Sequence, residues 1–220
     1  MTSLYVFGCS NTYGHGLPDC ILEDKMPGPY ASKLSFPHLV AKDLNLHLIN
    51  YSECGISNKW IYNLILEANI EKNSIVLINW TNINRGCIHY DDKGPFHIGQ
   101  WLIRDRKKYI LSLKDTKIVN SYYKHIWNRY DNKVNLYQYA NHIDLLCKLQ
   151  NSKLFQYCHP NAREFIASWN NVNFPDYDIL TYMQENDHFP QALDNIHPGI
   201  EHHKLFAEQI IKDIQLKDKI

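Results

Sequence analysis

The chain has no excess charge of either sign: its 220 residues hold 23 Lys and Arg against 23 Asp and Glu. Without a net positive field there is nothing to draw in a polyanion, so no nucleic-acid partner is expected. One short basic run, Arg104, Arg106, Lys107 and Lys108, reads as a solvated face. No apolar stretch approaches the roughly 18 residues a membrane span needs, and no membrane partner is expected. The opening MTSLYVFGCSNTYG lacks both a basic start and a long apolar segment. No signal peptide is therefore expected, and the expected location is cytoplasmic. Six cysteines (Cys9, Cys20, Cys54, Cys87, Cys147 and Cys158) form no CxxC pair and no regular spacing, which suits reduced thiols and not a disulfide frame. Metal-ligand spacing is nearly absent, hinted at only by His197, Glu201 and His202, so neither metal nor cofactor is expected. Repeats and low-complexity tracts are missing as well, and one domain over 1–220 is expected.

What is present is an alternation of strands and helices. SLYVFG (3–8) is a short β-rich apolar run, and HLINYS within 46–52 and SIVLINW (74–80) suit two more strands. Between them, 30–46 carries Leu39, Val40 and Leu44 at helical spacing after Pro37. Residues 57–70 open on a Ser/Asn cap and place Ile61, Leu64, Ile65 and Ala68 on one stripe. Strand, helix, strand, helix, strand predicts an α/β fold, a mostly parallel sheet covered on both faces. Residues 84–115, with Gly86, Gly94, Pro95 and Gly99, read as a loop-rich insertion. Helices at about 116–130 and 134–150, a strand at 153–158, a second loop-rich insertion near 159–193 and a final helix over 200–214 complete the chain.

In open α/β sheets ligands bind outside the carboxyl ends of the strands. Three stretches fall there: GCSNTYG, ECGISN and NWTNINR. Ser10 in the first is either a helix cap or a nucleophile. Gly55 in the second permits close backbone approach and offers its N–H. Asn82 in the third offers a side-chain amide. Near the other end, LDNIHPGIEHH sets Asp194 three residues before His197, so carboxylate and imidazole can face inward from one turn. A nucleophilic serine needs such a base, and the base an orienting group. Asp194 as a cap of the final helix, with His197 on the surface and Pro198 at the helix start, is the plainer alternative. Among other histidines, Asp187–His188 are adjacent and point apart, His15 and His89 sit in loops, and His203 covers the sheet or meets solvent.

Taken together these blocks resemble the SGNH hydrolases, or GDSL esterases and lipases, over nearly the full length. GCSNTYG is similar to the first block, with Ser10 at the nucleophile; CGISN to the second, with Gly55 at an oxyanion donor. NWTN is similar to the third, with Asn82 completing the oxyanion hole, and DNIHPGIEHHKLFAE to the last, with Asp194 and His197. The resemblance implies a flavodoxin-like three-layer α/β/α sandwich. It also implies a serine esterase with a Ser10–His197–Asp194 triad and an oxyanion hole of the Ser10 and Gly55 N–H groups and Asn82.

The chain departs from that pattern at four places. Cys9 stands for an aspartate and is itself a rival nucleophile; Trp80 stands for a glycine, Ile83 for an aspartate and His202 for a glycine. Asn79 and Asn84 remain rivals of Asn82. The implied partner is a small-molecule or glycan ester, an O-acetylated carbohydrate in particular. Aromatics of the two insertions (Tyr90, Phe96, Trp101, Trp169, Phe174 and Tyr177) either stack on sugar rings or pack the loops onto the core. An O-acyltransferase with the same triad and a non-catalytic binding protein on the same fold are the alternatives, and nothing in the sequence speaks to oligomeric state.

Overall fold

All six residues of Ser3–Gly8 (β1) are buried, because this strand runs down the middle of the sheet with both faces covered. The structure, a computed structural model, describes residues 2–90, 94–104, 112–166 and 174–217. After β1 the chain forms Ser10–Tyr13 (α1), Phe36–Asp43 (α2), His47–Asn50 (β2), Asn58–Glu67 (α3) and Ile75–Trp80 (β3). Gly86–Tyr90 (β4), Gly94–Ile98 (β5), Trp101–Arg104 (α4), Leu113–Ser121 (α5) and Arg129–Leu149 (α6) follow. Lys153–Cys158 (β6), Pro160–Ile166 (α7), Ile179–Glu185 (α8) and Ile200–Lys217 (α9) close it.

Strands β2, β1, β3 and β6 lie in that order and are all parallel. The period of two in a strand sorts their side chains between two cores. Leu4, Val6, Ile75, Leu77, Phe155 and Tyr157 face α2, α8 and α9. Tyr5, Phe7, Val76, Ile78 and Trp80 face α3 and α6. Helices thus cover both faces, and the expected three-layer α/β/α sandwich is what the chain forms. The chain leaves β1 toward β2 and returns past it to β3, so the strand order reverses between β1 and β3. Ligands of open α/β sheets bind at that point.

Two expectations need correction. Part of the insertion near 84–115 is ordered: β4 and β5 pair as an antiparallel hairpin, with Pro95 opposite His89. A proline fits there because a two-stranded ribbon has edges free of ladder bonds. Ile98, Leu102, Val119 and Tyr122 close a small core under it. The break between the two middle helices falls at Trp127–Asn128, earlier than the spacing suggested. The Asn128 side chain accepts the Tyr130 and Asp131 N–H groups (2.8 and 3.3 Å), starting α6, while α5 runs on through one π turn, Tyr122–Ile126. In 159–193, α7 and α8 are helical; Asp178 and Thr181 form a reciprocal cap on α8.

The last helix packs on the second. His203 is fully buried, stacks on Phe36, and its Nδ1 accepts the Phe36 N–H (3.1 Å), one of the donors a helix start leaves unpaired. Phe206 meets the edge of Phe36. This clamp brings the segment before α9 over the carboxyl end of β1. No helix among the described residues is long and apolar enough to cross a membrane.

Candidate active site

Beyond Gly8 the chain turns through Cys9, which is extended, into α1, whose first residue is Ser10. Cys9 is buried among Phe7, Ile56 and Ile61, so its thiol lies in the core. Ser10 turns the other way. Its Oγ is 3.0 Å from His197 Nε2, and His197 Nδ1 is 2.5 Å from Asp194 Oδ2. A carboxylate only accepts, so Nδ1 carries the proton and Nε2 is left to accept from the serine hydroxyl. Asp194 Oδ1 accepts the backbone N–H groups of Ile196 (3.0 Å) and His197 (3.1 Å), closing a turn through Asn195. Burial opposes the charged form of Asp194, but the His197 hydrogen bond and charge and the two N–H groups outweigh it. They hold the carboxyl well below the usual carboxylate range.

Asp194 therefore caps its own turn and not the final helix. That helix begins at Ile200 with Gly199 as its cap, and Pro198 lies just before the cap. Two of the three residues with metal-like spacing have protein partners. Glu201 pairs with Lys204 (2.7 Å), while His202 Nδ1 accepts the Gly199 N–H (3.0 Å) and its Nε2 faces the Asn186 carbonyl (3.0 Å). A different trio lies close together: His15, Asp194 and His197 offer ligand atoms within 4.8 Å of one another, although Asp194 and His197 are already engaged with each other.

Three residues that the sequence left aside support this geometry. Gly16 has φ +88°, accepts the Leu193 N–H at its carbonyl (2.9 Å), and leaves space that a Cβ would take from Asp194. The His15 ring centroid is 4.5 Å from that of His197, with Nε2 on the Lys25 carbonyl (3.1 Å). Asn161 Nδ2 donates to Asn82 Oδ1 (2.8 Å).

Gly55 and Asn82 sit on the neighbouring loops and make no hydrogen bond to Ser10 among the described residues. The Gly55 loop is drawn to β1 by the Tyr51 and Glu53 N–H groups, which donate to the Val6 and Gly8 carbonyls (2.8 and 3.1 Å). Gly55 has φ +82°, a conformation that favours glycine. Asn82 follows Thr81, whose N–H and carbonyl both bond the Asn58 side chain (2.7 and 2.9 Å). The Asn82 Oδ1 accepts twice, from the Asn84 N–H and from Asn161 (both 2.8 Å), which fixes the amide plane. Of the rivals, Asn79 is buried within β3, and Asn84 is held by its backbone, its N–H on Asn82 Oδ1 and its carbonyl accepting from the Tyr123 hydroxyl (2.8 Å). Beside Asn161, His159 is lowered to about 4 by burial and then by the Arg85 charge.

No known protein-family model matches the chain, and no curated protein matches it in sequence. Solved structures do match in fold. A G-D-S-L family protein named as lipolytic, from Desulfitobacterium hafniense DCB-2, superposes with TM-score 0.55 at 12% identity, over 96% of this chain and 99% of the other. The psychrotrophic esterase EstA from Pseudoalteromonas gives 0.54 at 12%, over 100% of both. An acetyl xylan esterase from Butyrivibrio proteoclasticus gives 0.53 at 12%, over 98% of this chain and 64% of the other. The chain has the SGNH hydrolase fold.

Within the SGNH fold the four departures acquire physical reasons. Cys9, Trp80 and Ile83 all point into the core between the sheet and α3, where Trp80 also donates to Gln156 (2.8 Å). His202 ties the cap of α9 to Asn186, bracing the segment that carries Asp194 and His197. Of the aromatics, Phe174 is buried, Tyr177 and Phe96 pack against cores, and Trp101 lies under Arg85. The Tyr90 side chain, Trp169, Arg106, Lys107 and Lys108 lie outside the described residues.

Proposed function

We propose that the protein is a serine esterase whose nucleophile is Ser10. The observation that carries this reading is the unbroken hydrogen-bond chain from Ser10 Oγ through His197 to Asp194. His197 Nε2 takes the hydroxyl proton as Ser10 Oγ attacks the ester carbonyl. Asp194 keeps the proton on Nδ1 and stabilises the imidazolium that forms. The Ser10 N–H opens α1 and has no acceptor among the described residues; neither has the Gly55 N–H. Together with the Asn82 amide they are the donors for the tetrahedral oxyanion, each worth about 2.7–4 kcal/mol in comparable sites. The imidazolium then protonates the departing alkoxide, and water repeats the sequence on the acyl-enzyme.

The substrate we infer is an acyl ester, an O-acetyl group on a carbohydrate in particular. This rests on fold neighbours that include carbohydrate esterases, one of them an acetyl xylan esterase. A fluorophosphonate probe tests the nucleophile: the parent chain is expected to label, and Ser10→Ala to label no more than background. An unlabelled parent, or equal labelling of the variant, would overturn the assignment and favour a binding protein.

A further inference from the structure

Arg85 joins the two loops that carry Gly55 and Asn82. Its N–H donates to the Asn82 carbonyl (3.2 Å), its Nη1 donates to the Ile56 carbonyl (3.3 Å), and its guanidinium carbon lies 4.9 Å from the centroid of the Trp101 ring. Trp101 in turn backs Gly55, where an added Cβ would come within 3.5 Å of the indole. The side chain is therefore held in one place, half-buried, between the proposed oxyanion donors. Of its five N–H donors, one meets a neutral carbonyl, and no carboxylate pairs with it among the described residues. The carboxylate of the adjoining loop, Glu53, accepts from Trp60 Nε1 instead (3.2 Å).

Arg85 also lines a cavity of about 250 Å³. Besides Arg85 it is lined by a second cation, Lys59, by Tyr122, Asn132 and Asn135, and by apolar Ile83, Ile88 and Ile126, and no Asp or Glu is among its lining residues. The Asn132 amide is buried beside the Tyr122 hydroxyl, its hydrogen-bond partner in the cavity wall. Burial, and after it the Arg85 charge, lower both His97 and His159. The volume is below the roughly 300–1,000 Å³ of drug-sized sites and suits about one sugar ring. A planar guanidinium stacked on an aromatic ring is the side chain best matched to a carboxylate, and amide and hydroxyl groups match sugar hydroxyls.

We propose that Arg85, held on Trp101, and the cavity it lines bind the carboxylate of an acidic sugar, so that the chain acts on esters of anionic and not of neutral glycans. The proposal rests on the Ser10 esterase reading for its turnover but not for its binding. Two measurements separate them. The first is the ratio of kcat/KM for an O-acetylated methyl glucuronoside to that for the matching methyl glucoside. The ratio is expected to be about ten or more in the parent, a modest return for a charge-assisted pair, to fall to about one in Arg85→Gln, and to be partly kept in Arg85→Lys. A parent ratio near one overturns the proposal. So does a parallel loss on both esters with the ratio kept, which would leave Arg85 as a brace between loops. The second is calorimetric binding of methyl glucuronoside, methyl glucoside and inorganic phosphate to Ser10→Ala, with and without Arg85→Gln. Only the glucuronoside is expected to bind, and only while Arg85 is present. No glucuronoside binding, or binding of phosphate in its place, overturns the anion site whatever the esterase does. Binding without turnover in the parent sinks the esterase reading and leaves the site standing.

Discussion

Gly16→Ala places a methyl group where the Asp194 carboxyl now lies. A Cβ on Gly16 would be 2.8 Å from Asp194 Oδ1, 2.9 Å from its Cγ and 2.9 Å from Ala192 Cβ, all closer than carbon can approach. The backbone there has φ +88°, which costs a non-glycine residue about 1–2 kcal/mol. Overpacking of a tight contact adds about 1–3 kcal/mol, so the variant is expected to lose roughly 2–5 kcal/mol of stability. For a domain of this size that lowers Tm by about 5–15 °C. The functional effect is separate. Asp194 is held at Oδ1 by two N–H groups and at Oδ2 by His197, and it cannot retreat from the methyl without loosening one set. A displacement of the order of 1 Å in such a group costs about a hundredfold in rate. Assayed on a chromogenic acetyl ester well below its own Tm, Gly16→Ala should lose about a hundredfold in kcat, with KM altered far less. A variant that melts early but keeps the parental kcat would show that Asp194 is not placed through Gly16, and one unchanged in both would deny that the two chain ends meet.

Asn161→Ala removes the bond that fixes the Asn82 amide, so kcat should drop about tenfold to a hundredfold, part of the value of one oxyanion donor, with Tm little changed. A normal kcat would show that Asn82 holds its orientation unaided or plays no part. His203 is lowered to about 3 by burial, then by His202 and His197, so between about pH 6.5 and pH 3 the unfolded chain takes up a proton that the folded chain refuses. Its stabilisation is complete above about pH 6.5 and declines by about 1.4 kcal/mol per unit as pH falls through that window. Urea unfolding at pH 7 and pH 5 should show this decline, less steep in His203→Asn by one proton's worth. Identical slopes in the two proteins would refute it.

Strands β1 and β3 are legible because a strand covered on both faces needs an unbroken apolar run, and helices α2, α3 and α9 because one face must be apolar. Hairpin β4–β5 escapes that reading: its strands are five residues long and rich in glycine and proline, signals that normally mark loops. Ser10, Asp194 and His197 are legible because each sits in a local motif with its own turn chemistry. Gly16, His15 and Asn161 are not, since what they do arises only across the fold. Gly16 meets a carboxyl 178 positions away, and Asn161 an amide 79 positions away. The one local signal was the second glycine of YGHG, which a simple strand-to-helix turn does not require.

The departures at Cys9, Trp80 and Ile83 lie beside residues of the proposed site, and their directions show what each does in the fold. Each is immediately before or close beside a residue of the site: Cys9 before Ser10, and Trp80 and Ile83 on either side of Asn82. All three point into the core that faces α3. Cys9 and Ser10 are successive residues and project to opposite sides, whereas Trp80 and Ile83, three positions apart, anchor the Asn82 loop in the core from both ends. Substitution of the anchor changes which apolar or polar contacts hold the loop down, and Trp80, fully buried and bonded to Gln156, holds it firmly. An aspartate at position 9 is thus one way to tether the turn, and a thiol buried among Phe7, Ile56 and Ile61 is another.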